Sequence, residues 1–171
     1  MEKSTKVEVW LRGPLQGVIP WLQPVAHALL QAREEVNDLM KDFPDHLLSE
    51  QPAGLASPAF HMQHLSGVLD RLFTYANGEL LSPLQLKALE LESQVNPHAL
   101  TSDLLEMFNS QVDKTLHRLQ DTPTEVLLHP RGVGRAQLPS NVLGLMVHAA
   151  EHTKRHLGQL LVTVRILTVK N

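Results

Sequence analysis

The chain has 171 residues, 43% of them hydrophobic and 19% charged, enough for one domain with a real core. A formal net charge of −3, from 15 basic and 18 acidic residues, offers no electrostatic case for nucleic acid. No apolar run approaches the roughly 18 residues of a membrane helix, and the absence of cysteine excludes disulfides, thiolate ligands and a cysteine nucleophile.

The opening stretch, MEKSTKVEVWLRGP, carries no apolar leader, so a cytoplasmic location is the expectation. Pro14, Pro20 and Pro24 forbid one long helix, so residues 1–24 are expected to be irregular. A first helix follows from Val25 to Lys41, with Val25, Leu29, Val36, Leu39 and Met40 at helical spacing. A second begins at Ser57 as N-cap with Pro58 in the first turn, and stops at Asn77-Gly78. Ser82-Pro83 repeats that signature and opens a shorter helix to about Glu92. After Pro97, a long helix capped by Thr101 or Ser102 runs to about Gln120. Pro139 and Ser140 are expected to open the last helix, which reaches about Thr168.

Residues 121–138 form a connection that is long for a helical bundle. Its apolar residues Val126, Leu127 and Leu128 argue for an ordered lid or short hairpin across one end. The fold expected is all-α: a single four-helix-bundle domain over residues 1–171, with one extra short helix and this ordered loop before the last helix.

Ten histidines are the informative excess. In the last helix, "HAAEHTKRHLGQLL" sets His148, His152 and His156 four residues apart, on one helical face. Adjacent members of that row can grip one ion, but all three cannot, since eight residues span about 12 Å of axis. A third ligand must come from another helix, and the second helix carries His64 and, one turn earlier, His61. Arg71 and Tyr75 return to the direction of His64, as Gln159 and Thr163 do to that of His152. Spacing alone leaves two readings open: a metal site between facing helices, or histidines that are only hydrogen-bonded in or near a core.

These residues resemble the DinB/YfiT-like family of metal-binding four-helix bundles. The family's last helix reads approximately H-x3-H-x3-G-Q or H-x3-H-x-G-Q, and "HTKRHLGQ" supplies His152, His156, Gly158 and Gln159. Its second helix carries a histidine followed by leucine, as "HLSGVLDRL" does at His64. The similarity extends from "PVAHALL", residues 24–30, to the end of the chain. It implies His64, His152 and His156 as metal ligands, a homodimer, and activities that include thiol-dependent transfer and isomerisation with a divalent metal and a low-molecular-weight thiol. Two departures stand out: Arg155 replaces a histidine common in relatives, and His148 adds one upstream. Either His148 or His61 can displace one of the three ligands.

Three imidazoles leave one position open on a tetrahedral Zn²⁺, for water or substrate. Such an ion lowers the pKa of bound water to about 7 and holds a coordinating thiol as thiolate. Imidazole suits Ni²⁺ and Fe²⁺ as well as Zn²⁺. Gln159, Tyr75 and Glu151 are candidates to orient the ligand rings, and Arg71 and Arg135 to meet an anionic substrate group. His27 is a cavity or boundary residue; His46, His98, His117 and His129 read as surface or loop. The expected function is a divalent-metal-dependent thiol S-transferase or hydrolase on a small molecule. A non-catalytic metal-binding or sensing bundle and a metal-free dimerisation module are the alternatives.

Overall fold

The computed structural model describes residues 7–94, 96 and 98–169. Residues 1–6 of the expected irregular segment, and Pro97 before the third long helix, lie outside them. Among the described residues five α-helices form in chain order: α1 (Gln23–Met40), α2 (Pro58–Ala76), α3 (Pro83–Leu91), α4 (Thr101–Gln120) and α5 (Val142–Thr168). One two-stranded antiparallel hairpin, β1 (Pro130–Val133) and β2 (Leu138–Asn141), precedes α5. The fold is all-α, and α1, α2, α4 and α5 are the four long helices of the bundle.

The helix starts follow local chemistry. Ser57 accepts a hydrogen bond from the Phe60 N–H at 3.2 Å, and Pro58 takes the first helical position, where no N–H is needed. Ser82 and Gln85 form a reciprocal capping box at α3. Gly78, at φ +83°, supplies the left-handed residue that ends α2. Two starts differ from expectation. The cap of α4 is Leu100, and the Thr101 N–H is met by Asp45 Oδ1 at 2.8 Å, from a segment 56 residues earlier. Pro139 and Ser140 belong to β2; α5 starts after Asn141, whose side chain accepts from the Gly144 N–H at 2.7 Å.

Main packing contacts run α1–α4, α4–α2, α2–α5 and α5–α1, so chain neighbours α1 and α2 sit across a diagonal, as do α4 and α5. The core fills the middle of this ring. Leu29 and Val36 of α1, Leu65, Leu69 and Phe73 of α2, Phe108 and Val112 of α4, and Leu157 and Leu160 of α5 are fully or almost fully buried. Each such side chain contributes roughly 1.5–3 kcal/mol of transfer free energy. The hairpin is fastened to the C-terminal end of α2, where Arg131 Nε donates to the Ala76 carbonyl at 2.6 Å. No helix among the described residues is long and apolar enough to cross a membrane.

Candidate metal centre

The closest pairing in the bundle, α2 against α5, carries the histidines. His64 of α2 and His152 and His156 of α5 each offer a ring nitrogen within 4.8 Å of the other two. Their ring centroids are 4.3 to 5.2 Å apart, and all three are half-buried. Phe60 stacks on the His64 ring at 5.3 Å, with planes 10° apart. His64 Nε2 faces His152 Nε2 at 3.0 Å. Two imidazole nitrogens about 2.0–2.1 Å from one ion sit roughly 3.3 Å apart at a tetrahedral angle and about 3.0 Å at a right angle. The observed 3.0 Å equals the right-angle value and is about 0.3 Å short of the tetrahedral one.

Proton bookkeeping shows what a cation would displace. Glu92 Oε2 lies 2.8 Å from His64 Nδ1, so a neutral His64 carries its proton on Nδ1 and leaves Nε2 bare. In the metal-free network His152 must then donate from Nε2, which leaves its Nδ1 as an unprotonated acceptor. That atom is buried and has no hydrogen-bond partner among the described residues. A buried unsatisfied nitrogen costs on the order of 1–3 kcal/mol. A cation between the two Nε2 atoms would replace the shared proton as the link; the His152 proton would then sit on Nδ1, which stays without a partner among the described residues in either state.

The electrostatics keep the rings available. His156 is pushed down to about 4, by burial first and then by the His64 and His152 rings. His61 is also pushed down to about 4, by burial and then by His64. Burial, followed by the His64 and His148 rings, lowers His152. At neutral pH these three are neutral imidazoles, the form a metal requires.

The other sequence candidates divide by position. His61 is buried and places Nδ1 3.3 Å from His156 Nδ1, and it is not a member of the group whose ring nitrogens converge. His148 is exposed and pairs with Glu151 at 3.4 Å; His148, Glu151 and His152 make a second, more open group that could hold an ion. Glu151 also binds Arg155 on the surface. Gln159, with His61, Arg155, Gly158, Val162 and Thr163, lines a cavity of about 430 Å³ beside the cluster. Tyr75 is half-buried and packs on the core. It lies eleven residues, about 16 Å of helix axis, beyond His64, so it shares a direction with the cluster but not a depth. Arg135 is exposed in the hairpin turn, at the opposite end of α2. His27 contacts the Gly13 carbonyl through Nε2 at 3.1 Å, while His46, His98, His117 and His129 are exposed.

Sequence reasoning missed Glu92. It is the residue just past α3, 6% exposed, and both its oxygens are engaged: Oε1 by Arg71 Nη1, Oε2 by His64 and by Arg71 Nη2 at 3.3 Å. Burial alone pushes its carboxyl up; hydrogen bonds from His64 and Arg71, with their charges, outweigh that and hold it below the usual carboxylate value. The one available signal was Gly67 inside α2, a helix interior where glycine costs about 1 kcal/mol against alanine.

Comparison with known proteins fits this architecture. No curated protein matches the chain at a significant level. The profile of the DinB superfamily matches residues 28–160, well over half of the chain and inclusive of His64, His152 and His156. An all-α bundle, with a histidine of the second helix facing two on the last, is thus joined by a sequence match across the same elements: the chain belongs to the DinB superfamily.

Proposed function

We propose that this protein is a divalent-metal-dependent enzyme acting on a small molecule, with His64, His152 and His156 as the metal ligands. One observation carries the reading: three imidazoles from two helices converge within 4.8 Å, with no carboxylate among them. A tetrahedral ion so held retains one position for water or substrate. Zn²⁺ is the first choice, with Ni²⁺ and Fe²⁺ also compatible with imidazole. When bound, the ion supplies Lewis-acid activation of water or of a thiol brought by a low-molecular-weight cosubstrate, since the chain has no cysteine of its own.

The chain's residues provide the surroundings. Phe60 covers one face of His64 and excludes water from it. Leu55 and Val162 give the adjacent cavity apolar walls, while Arg155, Gln159 and Thr163 offer polar contacts to a bound substrate. Thiol S-transfer and hydrolysis are the two reaction classes this arrangement supports. The protein acts as a cytoplasmic homodimer in this reading; exposed Leu161, Val162 and Ile166 leave apolar area on α5 for a second copy.

The test begins with protein purified without an affinity tag. One divalent ion per chain is expected, with turnover against a panel of thiols plus electrophiles, esters and amides. Chelation should abolish that turnover and one metal should restore it. Full metal occupancy without any turnover would favour the second reading, a metal-binding or sensing bundle. That reading draws on Glu92: its carboxylate is committed to His64 and Arg71 rather than left as a general base.

A further inference from the structure

We propose that Glu92 is a positioning residue that fixes the protonation and orientation of His64, and that Gly67 is the notch in α2 that admits it. Four observations meet here. Glu92 Oε2 takes His64 Nδ1 at 2.8 Å. Arg71 grips the carboxylate through both Nη atoms, which holds Oε2 against His64 Nδ1. The whole group is buried, with side chains of Arg71 and Glu92 10% and 6% exposed. A Cβ placed on Gly67 would collide with Glu92 Oε1 and Arg71 Nη1.

The chemical consequence follows from the imidazole itself. A neutral ring has one N–H and one lone pair, and a carboxylate at Nδ1 forces the N–H to that side. Nε2 then presents its lone pair permanently toward His152. The negative charge behind the ring also raises the basicity of Nε2, and outer partners of this kind are worth about 10–100-fold in metal affinity. Arg71 serves the opposite end: it keeps Glu92 ionised and holds it as an acceptor. The arrangement explains why an unfavourable glycine sits in the middle of α2. It also links α3 to the site, since Glu92 stands at the end of a helix that has no buried residue of its own.

The proposal rests on the metal reading for its affinity arm alone; the tautomer of His64 is a property of the metal-free protein. Two variants test it. Gly67→Ala forces Glu92 Oε1 and Arg71 Nη1 out of their present positions and leaves every ligand intact. The double variant Arg71→Met/Glu92→Leu removes both charges together, so that no buried ion is stranded. In metal-free wild type, ¹⁵N NMR is expected to show His64 protonated at Nδ1 and bare at Nε2. Both variants should lose that bias and shift the ring toward a mixture. Zn²⁺ affinity, read by competition with a chromophoric chelator, should fall about 10–100-fold in each. The Co²⁺ absorption spectrum should still report the same ligand number. A folded double variant with the wild-type tautomer ratio and wild-type Zn²⁺ affinity overturns the proposal, whatever its melting temperature. If wild type itself binds no Zn²⁺, the enzymatic reading fails and the NMR comparison still decides the role of Glu92.

Discussion

His64 is held from three sides: Phe60 stacks on its face, Glu92 takes Nδ1, and His152 meets Nε2. A ring constrained in this way has one free choice left, which is what occupies the space before Nε2. His61 has no such geometry. It is buried deeper than any of the three, yet its one ring-nitrogen contact is with His156 Nδ1 and it stands outside the converging group. His64→Ala and His152→Ala are therefore expected to lower Zn²⁺ affinity by more than the roughly 100-fold of an outer partner. His148→Ala and His61→Ala should keep one ion per chain by elemental analysis. Loss of the ion in His148→Ala would move the site to the more open His148–Glu151–His152 group. Much at this scale was legible in the sequence, because four-residue spacing on one helix fixes a common face. Glu92 was not. Nothing local separates it from Glu90, two residues earlier, whose side chain is 63% exposed; only the docking of the α3 terminus on α2 makes one a surface charge and the other a buried acceptor. Tyr75 illustrates the complementary limit, since periodicity gives direction around a helix and says nothing of distance along it.

Two glycines inside helices show how the same substitution changes sign with its surroundings. At Gly158 a Cβ meets nothing within 4 Å. Gly158→Ala is expected to stabilise the fold by roughly 0.5–1 kcal/mol, raising the melting temperature by a few degrees. At Gly67 the same change meets Glu92 and Arg71, so the gain in helix propensity is offset by the loss of a buried network. Calorimetry on both variants should give shifts of opposite sign; a rise in both would show that the Glu92 contact carries no stability. Helix α4 adds a pH-dependent case. Hydrogen bonds from Thr101, backbone first, hold the Asp45 carboxyl below its ordinary 3.8. With the folded value lowered, the stabilisation is present above the unfolded value and lost as pH falls through the folded one. Wild type should melt above Asp45→Ala by a constant margin from about pH 5 upward, and the margin should close in strong acid. An unchanged margin at pH 2 would show that charge has no part in this cap. The two misplaced helix starts have the same origin. Capping rules read neighbours in sequence, whereas Asp45 reaches α4 through space, and at α5 a strand carries the chain through Pro139 and Ser140 before Asn141 takes over.

At the scale of the whole bundle, the proposed metal site lies on the same seam as the most extensive helix pairing. The four long helices and the extra short one were readable from capping signals and apolar periodicity, but their order around the core was not. Residues 41–57 and 121–141 are long enough to let chain neighbours sit diagonally, and which pairs touch is settled only when all four apolar faces close on one another. The result sets α2 against α5 in the most extensive packing of the bundle, and the histidines bridge these two helices alone. An ion bound there ties elements 88 residues apart in the chain and binds the folded state only, because the unfolded chain has no preformed site. Linkage then gives the size of the effect: at free Zn²⁺ 100-fold above Kd the fold gains about 2.7 kcal/mol. For a chain of this length, that is a rise of roughly 5–10 °C in melting temperature. Excess chelator should reverse the rise, and His64→Ala should melt at one temperature with or without metal. The contrast with His148→Ala is decisive, since an ion held only by α5 would cross-link nothing and would leave the α2–α5 seam no harder to open. A Zn²⁺-induced rise that survives in His64→Ala would therefore mean that the ion binds along one helix, and the bridging site would have to be abandoned.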